Sequence, residues 1–196
     1  PEQSLAVYND TASQLYAMKE YQEAVRILQA GVERFPLKEG QTPSRDQLIA
    51  IGGLKDAYVA LQDWPQVARF GAQLLAIEKN QNDERVRRGE PELRDINSWR
   101  AYALAMEKLN KFEEAVQYWR EVKAVADRME GEAGRQTEFE ATLHLARSYA
   151  KKGEAPHGYK VAAWYLLSSA DWLRRGESAR SVEELYNEFF RDKYAE

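Results

Sequence analysis

Two histidines and no cysteine leave little from which to build catalytic chemistry. His144 falls inside a helical stretch, and His157 lies between Pro156 and a glycine in what reads as a loop. Neither is followed by a ligand-type partner at i+3 or i+4, the spacing that would pair it on one helix face. The nearest carboxylate neighbours, Glu113 with Glu114 and Glu138 with Glu140, do not share a helix face and read as solvated charges. No phosphate-cradling glycine loop occurs; IGGLK and MEGEAG read as a helix irregularity and a loop. Without cysteine there is no thiol nucleophile, no disulfide and no cysteine metal site. The sequence therefore predicts no catalytic residue, no metal ligand and no cofactor: the chain reads as a non-enzyme.

Charge narrows the partners. Basic side chains number 28 and acidic ones 32, for a net charge of −4, which favours neither nucleic acid nor an anionic membrane surface. Arg85, Arg87 and Arg88 form a local basic strip, better read as a solvated helix extension running into a loop at Gly89-Glu90-Pro91. No run approaches the roughly 18 apolar residues of a membrane span, and none of the given residues reads as a signal peptide. The chain opens on Pro rather than Met, so the expectation is a soluble fragment of a longer protein, cytoplasmic or periplasmic.

Apolar periodicity supplies the elements that would carry a surface. A first helix is expected from about Ser4 to Met18, with Leu5, Tyr8, Ala12 and Leu15 inward. After a Lys19-Glu20 turn, a second runs from Tyr21 with Ala24, Val25, Leu28 and Val32 on its face, until Pro36 stops it. LKEGQTPSRD then reads as a loop. The pattern returns around Tyr58, Trp64 and Pro65, and again from Trp99 to about Met129, where Gly131 and Gly134 break it. A last pair begins near Gln136 and stops at Lys151-Lys152-Gly153; its return helix is displaced by EAPHG. Ser181-Val182-Glu183-Glu184 has the pattern of a capping box, heading a terminal helix with Leu185, Tyr186, Phe189 and Phe190 on one face.

Tyr8 to Pro36 resembles a tetratricopeptide repeat. Tyr8, Thr11, Ala12 and Leu15, then Ala24, Leu28 and Gly31, then Pro36, follow its spacing over about 34 residues. Trp99, Tyr102 and Ala103 with Phe112, Ala115 and Trp119 repeat it. So do Thr142, Leu145, Ala146 and Tyr149. The second copy is degenerate, with Lys55 where the family has a small residue. EAPHG followed by Ala163-Trp164-Tyr165 resembles the related Sel1-like repeats, which carry a longer inter-helix loop. Tyr8, Ile51, Trp99 and Thr142 mark a period longer than the family's usual one.

What the resemblance implies is an all-α, right-handed superhelical solenoid of about four hairpins plus a C-terminal capping helix. Residues 1–196 would form one repeat domain, with hairpins near 4–36, 46–80, 94–130 and 136–176 and a terminal helix at 180–194. Most aromatics, from Tyr8 and Tyr21 to Tyr149 and Trp164, would then be core rather than base-stacking platforms. The implied function is a protein–protein interaction scaffold that holds a partner segment in the groove of the first helices, without chemistry. Groove positions nominate Asn9, Ser13, Tyr16, Asp56, Arg100, Glu107, Arg147 and Lys151. Members that clamp chaperone tails use Lys, Asn and Arg; the matching residues here are Asn9, Ser13, Gly53, Asn97 and Ala101, which is not that clamp. Two alternatives stand beside this reading. One is self-association through Phe189, Phe190 and the terminal helix; the other is a small-molecule-binding helical domain of a larger protein.

Overall fold

The computed structural model describes residues 4–38, 40–168, 183 and 186–191, and every regular element among them is helical. Eight helices run in order: α1 Leu5–Ala17, α2 Tyr21–Arg34, α3 Arg45–Leu61, α4 Trp64–Arg87, α5 Ile96–Lys108, α6 Phe112–Ala126, α7 Gly131–Lys151 and α8 Ala155–Ser168. The chain divides into two compact units, residues 1–109 with α1 to α5 and residues 110–196 with α6 to α8.

One turn recurs four times. Lys19, Gln62, Asn110 and Gly153 are left-handed, with φ of 65°, 57°, 60° and 94°. In each case a helix opens two residues later, at Tyr21, Trp64, Phe112 and Ala155. The backbone N–H of Glu20, Asp63 and Glu154 reaches back to the carbonyls of Leu15, Tyr58 and Tyr149, at 2.9, 3.0 and 2.9 Å. Bonds of that span satisfy carbonyls that a helix end would otherwise leave open. Connections of two or three residues force α2 back along α1, α4 back along α3 and α8 back along α7, which produces the hairpins within each unit.

In the first unit α1, α3 and α5 lie in one layer, α1 touching α3 and α3 touching α5. The second helices pack between them, α2 on α1 and α3, α4 on α3 and α5. Small residues set the spacing. A Cβ added to Gly31 would lie 2.9 Å from Tyr8 Cβ, and one on Gly71 would lie 3.1 Å from Tyr102 Cδ2. Helix starts are fixed by side chains. Ser44 and Gln47 form a reciprocal capping box on α3, and the Gln47 amide also donates to the Phe35 and Pro36 carbonyls at 3.2 Å. Asp63 caps α4 and Asp95 caps α5.

Beyond the expected end near residue 80, α4 continues to Arg87 as the predicted extension. Asn82 holds Leu93 by a two-way pair of 2.8 Å bonds, and Arg85 donates to the Pro91 carbonyl at 2.7 Å. These contacts fold the following loop back on the helix.

The second unit corrects three expectations. α6 ends at Ala126, short of Met129, and Gly131 and Gly134 do not end a helix but lie in the first turn of α7, which starts before Gln136. EAPHG is no inserted loop: Ala155, Pro156 and His157 are the first turn of α8, where proline's missing N–H costs nothing. The longer connection of Sel1-like repeats is therefore not present. With that register, Trp164 is 70% exposed and Tyr165, at 2%, is the core residue. Tyr165 packs with Leu143, Ala146, Ala162 and Phe189. Trp119 is fully buried and stacks on His144, with ring centroids 4.6 Å apart. Residues 186–189 are helical, and Phe189 and Phe190 seat on α7 and α8. Ser181, Val182, Glu184 and Leu185, and with them the expected capping box, lie outside the described residues.

Candidate functional site

Four of the eight nominated residues meet in one place. Asn9, Ser13 and Tyr16 come from α1 at spacings of four and three, which stack them along one helix face. Asp56 comes from α3 across the interval. With Ala12, Ala24, Leu28, Ile49, Gly52 and Gly53 they line a concavity of about 400 Å³. Its floor is apolar and its polar groups are few, the usual make-up of a recognition site.

Asn9 is buried and donates through Nδ2 to the Asp46 carbonyl at 3.0 Å; its Oδ1 has no hydrogen-bond partner among the described residues. Burial, then the Asp56 carboxylate and Tyr21, push the Tyr16 hydroxyl above its ordinary value, so it stays a proton donor. Ser13 is exposed at the rim.

A second concavity of about 380 Å³ adjoins the first and shares Gly52 and Asp56 with it. It lies between α3, α4 and the start of α5 and holds Lys55, Glu78, Asp95, Asn97 and Ser98. Lys55 is buried, and its ammonium reaches Asp56 Oδ1 at 3.1 Å, so a lysine at the small-residue position is accommodated by extending to the groove edge. Glu78 is also buried. It accepts from the Asp95 N–H at 2.9 Å and from the Trp99 indole at 3.0 and 3.1 Å. Burial raises its carboxyl above the usual carboxylate range, and the bonds from Asp95 and Trp99 pull the other way. Arg94 covers the other face of this arrangement, 4.8 Å from the Trp99 ring centroid.

The remaining nominees are dispersed. Arg100 is half-buried on α5 and Glu107 is buried there, so Glu107 is poorly placed to meet a partner. Arg147 and Lys151 belong to α7 in the second unit. Arg147 is engaged by its own chain, its guanidinium forking onto Glu188 at 2.6 and 2.5 Å. Lys151 lies over the Phe112 ring at 5.7 Å. Phe189, nominated for self-association, is 8% exposed within its own unit's core. Sequence reasoning marked Gly52 only as a helix irregularity and missed Glu78 and Asp95. Only the fold brings α4 and the loop before α5 to α3, and no local pattern marks those two.

Metal and membrane chemistry find no further support. No group of three His, Cys, Asp or Glu side chains among the described residues is placed to hold a metal ion. No helix among them is long and apolar enough to cross a membrane. His157 is exposed, its Nδ1 3.5 Å from Glu154.

The hairpins, their shared turn and the layered first helices define a TPR-like helical repeat fold, and solved structures agree. A Podosopora anserina protein described as a kinesin light chain with nearly identical TPR-like repeats superposes with a TM-score of 0.68 at 19% identity, over 93% of this chain and 85% of that one. A point variant of the same protein gives 0.69 with the same identity and coverage. A double mutant of MamA RS-1 gives 0.60 at 11% identity, over 98% and 97%. No protein-family model matches the chain, and no curated protein matches it in sequence.

Proposed function

We propose that the chain is a non-enzymatic interaction scaffold whose groove over α1, α3 and α5 receives a segment of a protein partner. The observation that supports it is the convergence of Asn9, Ser13, Tyr16 and Asp56 on one apolar-floored concavity that runs into a second. A preformed groove of this size lets an extended or helical segment dock without ordering the scaffold, which spares the entropy of binding. The fold's likeness to repeat proteins fits the same use.

Site-specific photocrosslinking tests it. A photoreactive residue at Ser13 on the groove rim should capture a partner chain, and one at Arg26 on the exposed face of α2 should not. Equal capture from both positions, or none from Ser13, would remove the groove assignment.

A further inference from the structure

Gly52 is out of place by every internal criterion. It lies in the middle of α3, where glycine is a poor helix former. Its neighbours in kind have packing reasons: an added Cβ would lie 3.0 Å from Leu28 at Gly53 and 3.1 Å from Tyr102 at Gly71. At Gly52 an added Cβ would meet nothing within 4 Å. No contact among the described residues requires the absence of a side chain there, yet Gly52 lies where the two concavities join.

The chemistry on its two sides differs. Toward α1 the wall is apolar, with Ile49 46% exposed, and the Asn9 side chain is buried beneath it with an oxygen that has no hydrogen-bond partner among the described residues. Toward α5 three carboxylates, Asp56, Glu78 and Asp95, share the space with one ammonium, that of Lys55. Lys55 is already committed to Asp56, whose side chain remains 58% exposed, and Asp95 is exposed as well. A carboxylate accepts several hydrogen bonds at once, so Asp56 has capacity for a second cation.

We propose that the groove is specific for an extended segment carrying a lysine or arginine. The partner's main chain crosses directly over Gly52, its cationic head enters the concavity of Asp56 and Asp95, and a small apolar neighbour fills the side of Ile49 and Asn9. This rests on the scaffold reading above and adds to it the sign of the partner's charge and the point of closest approach. An acidic segment would meet like charge at the exposed Asp56 and Asp95.

Selection of random dodecapeptides displayed on phage against the intact chain tests the idea, followed by fluorescence anisotropy of the best labelled peptide. Enriched peptides should carry Lys or Arg. Asp56→Asn, which keeps an oxygen for the Lys55 ammonium, and Gly52→Leu should each weaken that peptide at least about tenfold, the scale of one lost charge contact or a blocked approach. Circular dichroism should show both variants folded, because the amide still accepts from Lys55 and the added side chain at 52 points into open space. Gly52→Ala should melt at a higher temperature than the wild type and still bind more weakly, a combination that a purely structural glycine cannot give. Peptides that lack a basic residue, or that bind Gly52→Leu unchanged, would overturn the proposal. If those same peptides are lost on Tyr16→Ala, groove binding itself survives. Failure to enrich any peptide would defeat both readings together.

Discussion

The second and fourth hairpins solve one packing problem with opposite residues. Seven residues before each left-handed turn the first helix places Ala12, Lys55, Ala103 and Ala146, all of them buried. Three residues into the second helix the matching positions are Ala24, Val67, Ala115 and Gly158. In the fourth hairpin both are minimal, and the helices close until a Cβ on Gly158 would lie 2.6 Å from the Ala146 carbonyl oxygen. In the second, a lysine and a valine stand in the same places. The lysine is tolerated because its charge escapes to Asp56 at the groove edge. Tight backbone contact closes the fourth hairpin on itself. The looser one supplies the wall of both concavities, so the departure from the repeat pattern and the candidate site coincide.

The contrast can be broken at Gly158. Gly158→Val must push against backbone, which cannot rotate aside, and is expected to destabilise the chain by about 3 kcal/mol. Urea unfolding measures it, and an unchanged midpoint would show that α7 and α8 are not in such close contact. A pH series probes the looser hairpin through Glu78. Its carboxyl ordinarily titrates near 4.5, and burial raises it in the folded protein, so the native state binds this proton more tightly than the unfolded one. Relative to Glu78→Gln, the wild type should be most stable at the acid end. It should lose that advantage as pH rises from the ordinary value through the raised one, then level off. A pH-independent difference would contradict the buried environment.

Lys55→Met keeps the stem and removes the charge, and should be neutral or stabilising by about 1 kcal/mol in thermal melts. A marked loss would mean the Asp56 pair does more than compensate burial. The smallest effect belongs to the fourth hairpin's link to residues 186–191. Both partners of the Arg147–Glu188 pair are about a third exposed, at 31% and 32%. A double-mutant cycle to alanine should give a coupling of no more than about 1 kcal/mol.

How far the sequence is legible follows the same contrast. The Tyr8–Pro36 repeat, the α4 extension and the odd lysine at 55 can all be read without coordinates, because each is a local departure from or match to a spacing. Asn9, Ser13, Tyr16 and Asp56 follow from that register too. The fourth hairpin is misread because Pro156 and Gly158 look like a loop. In fact one opens the helix and the other permits its closest contact, and the shift moves Trp164 out of the core in favour of Tyr165. Glu78 and Asp95 could not be found locally: they reach the groove through pairings over 17 and 21 residues with each other and with Trp99.

The repeated turn has a bearing on engineering. Lys19 and Gln62 hold a left-handed backbone that disfavours such side chains by roughly 1–2 kcal/mol. At the matching turns Asn110 is a residue that tolerates this conformation, and Gly153 is the one for which it is free. Two of the four corners are thus built against local preference and held by the hairpins they join. They are places where a thermally hardier version of this scaffold could be made without touching its groove.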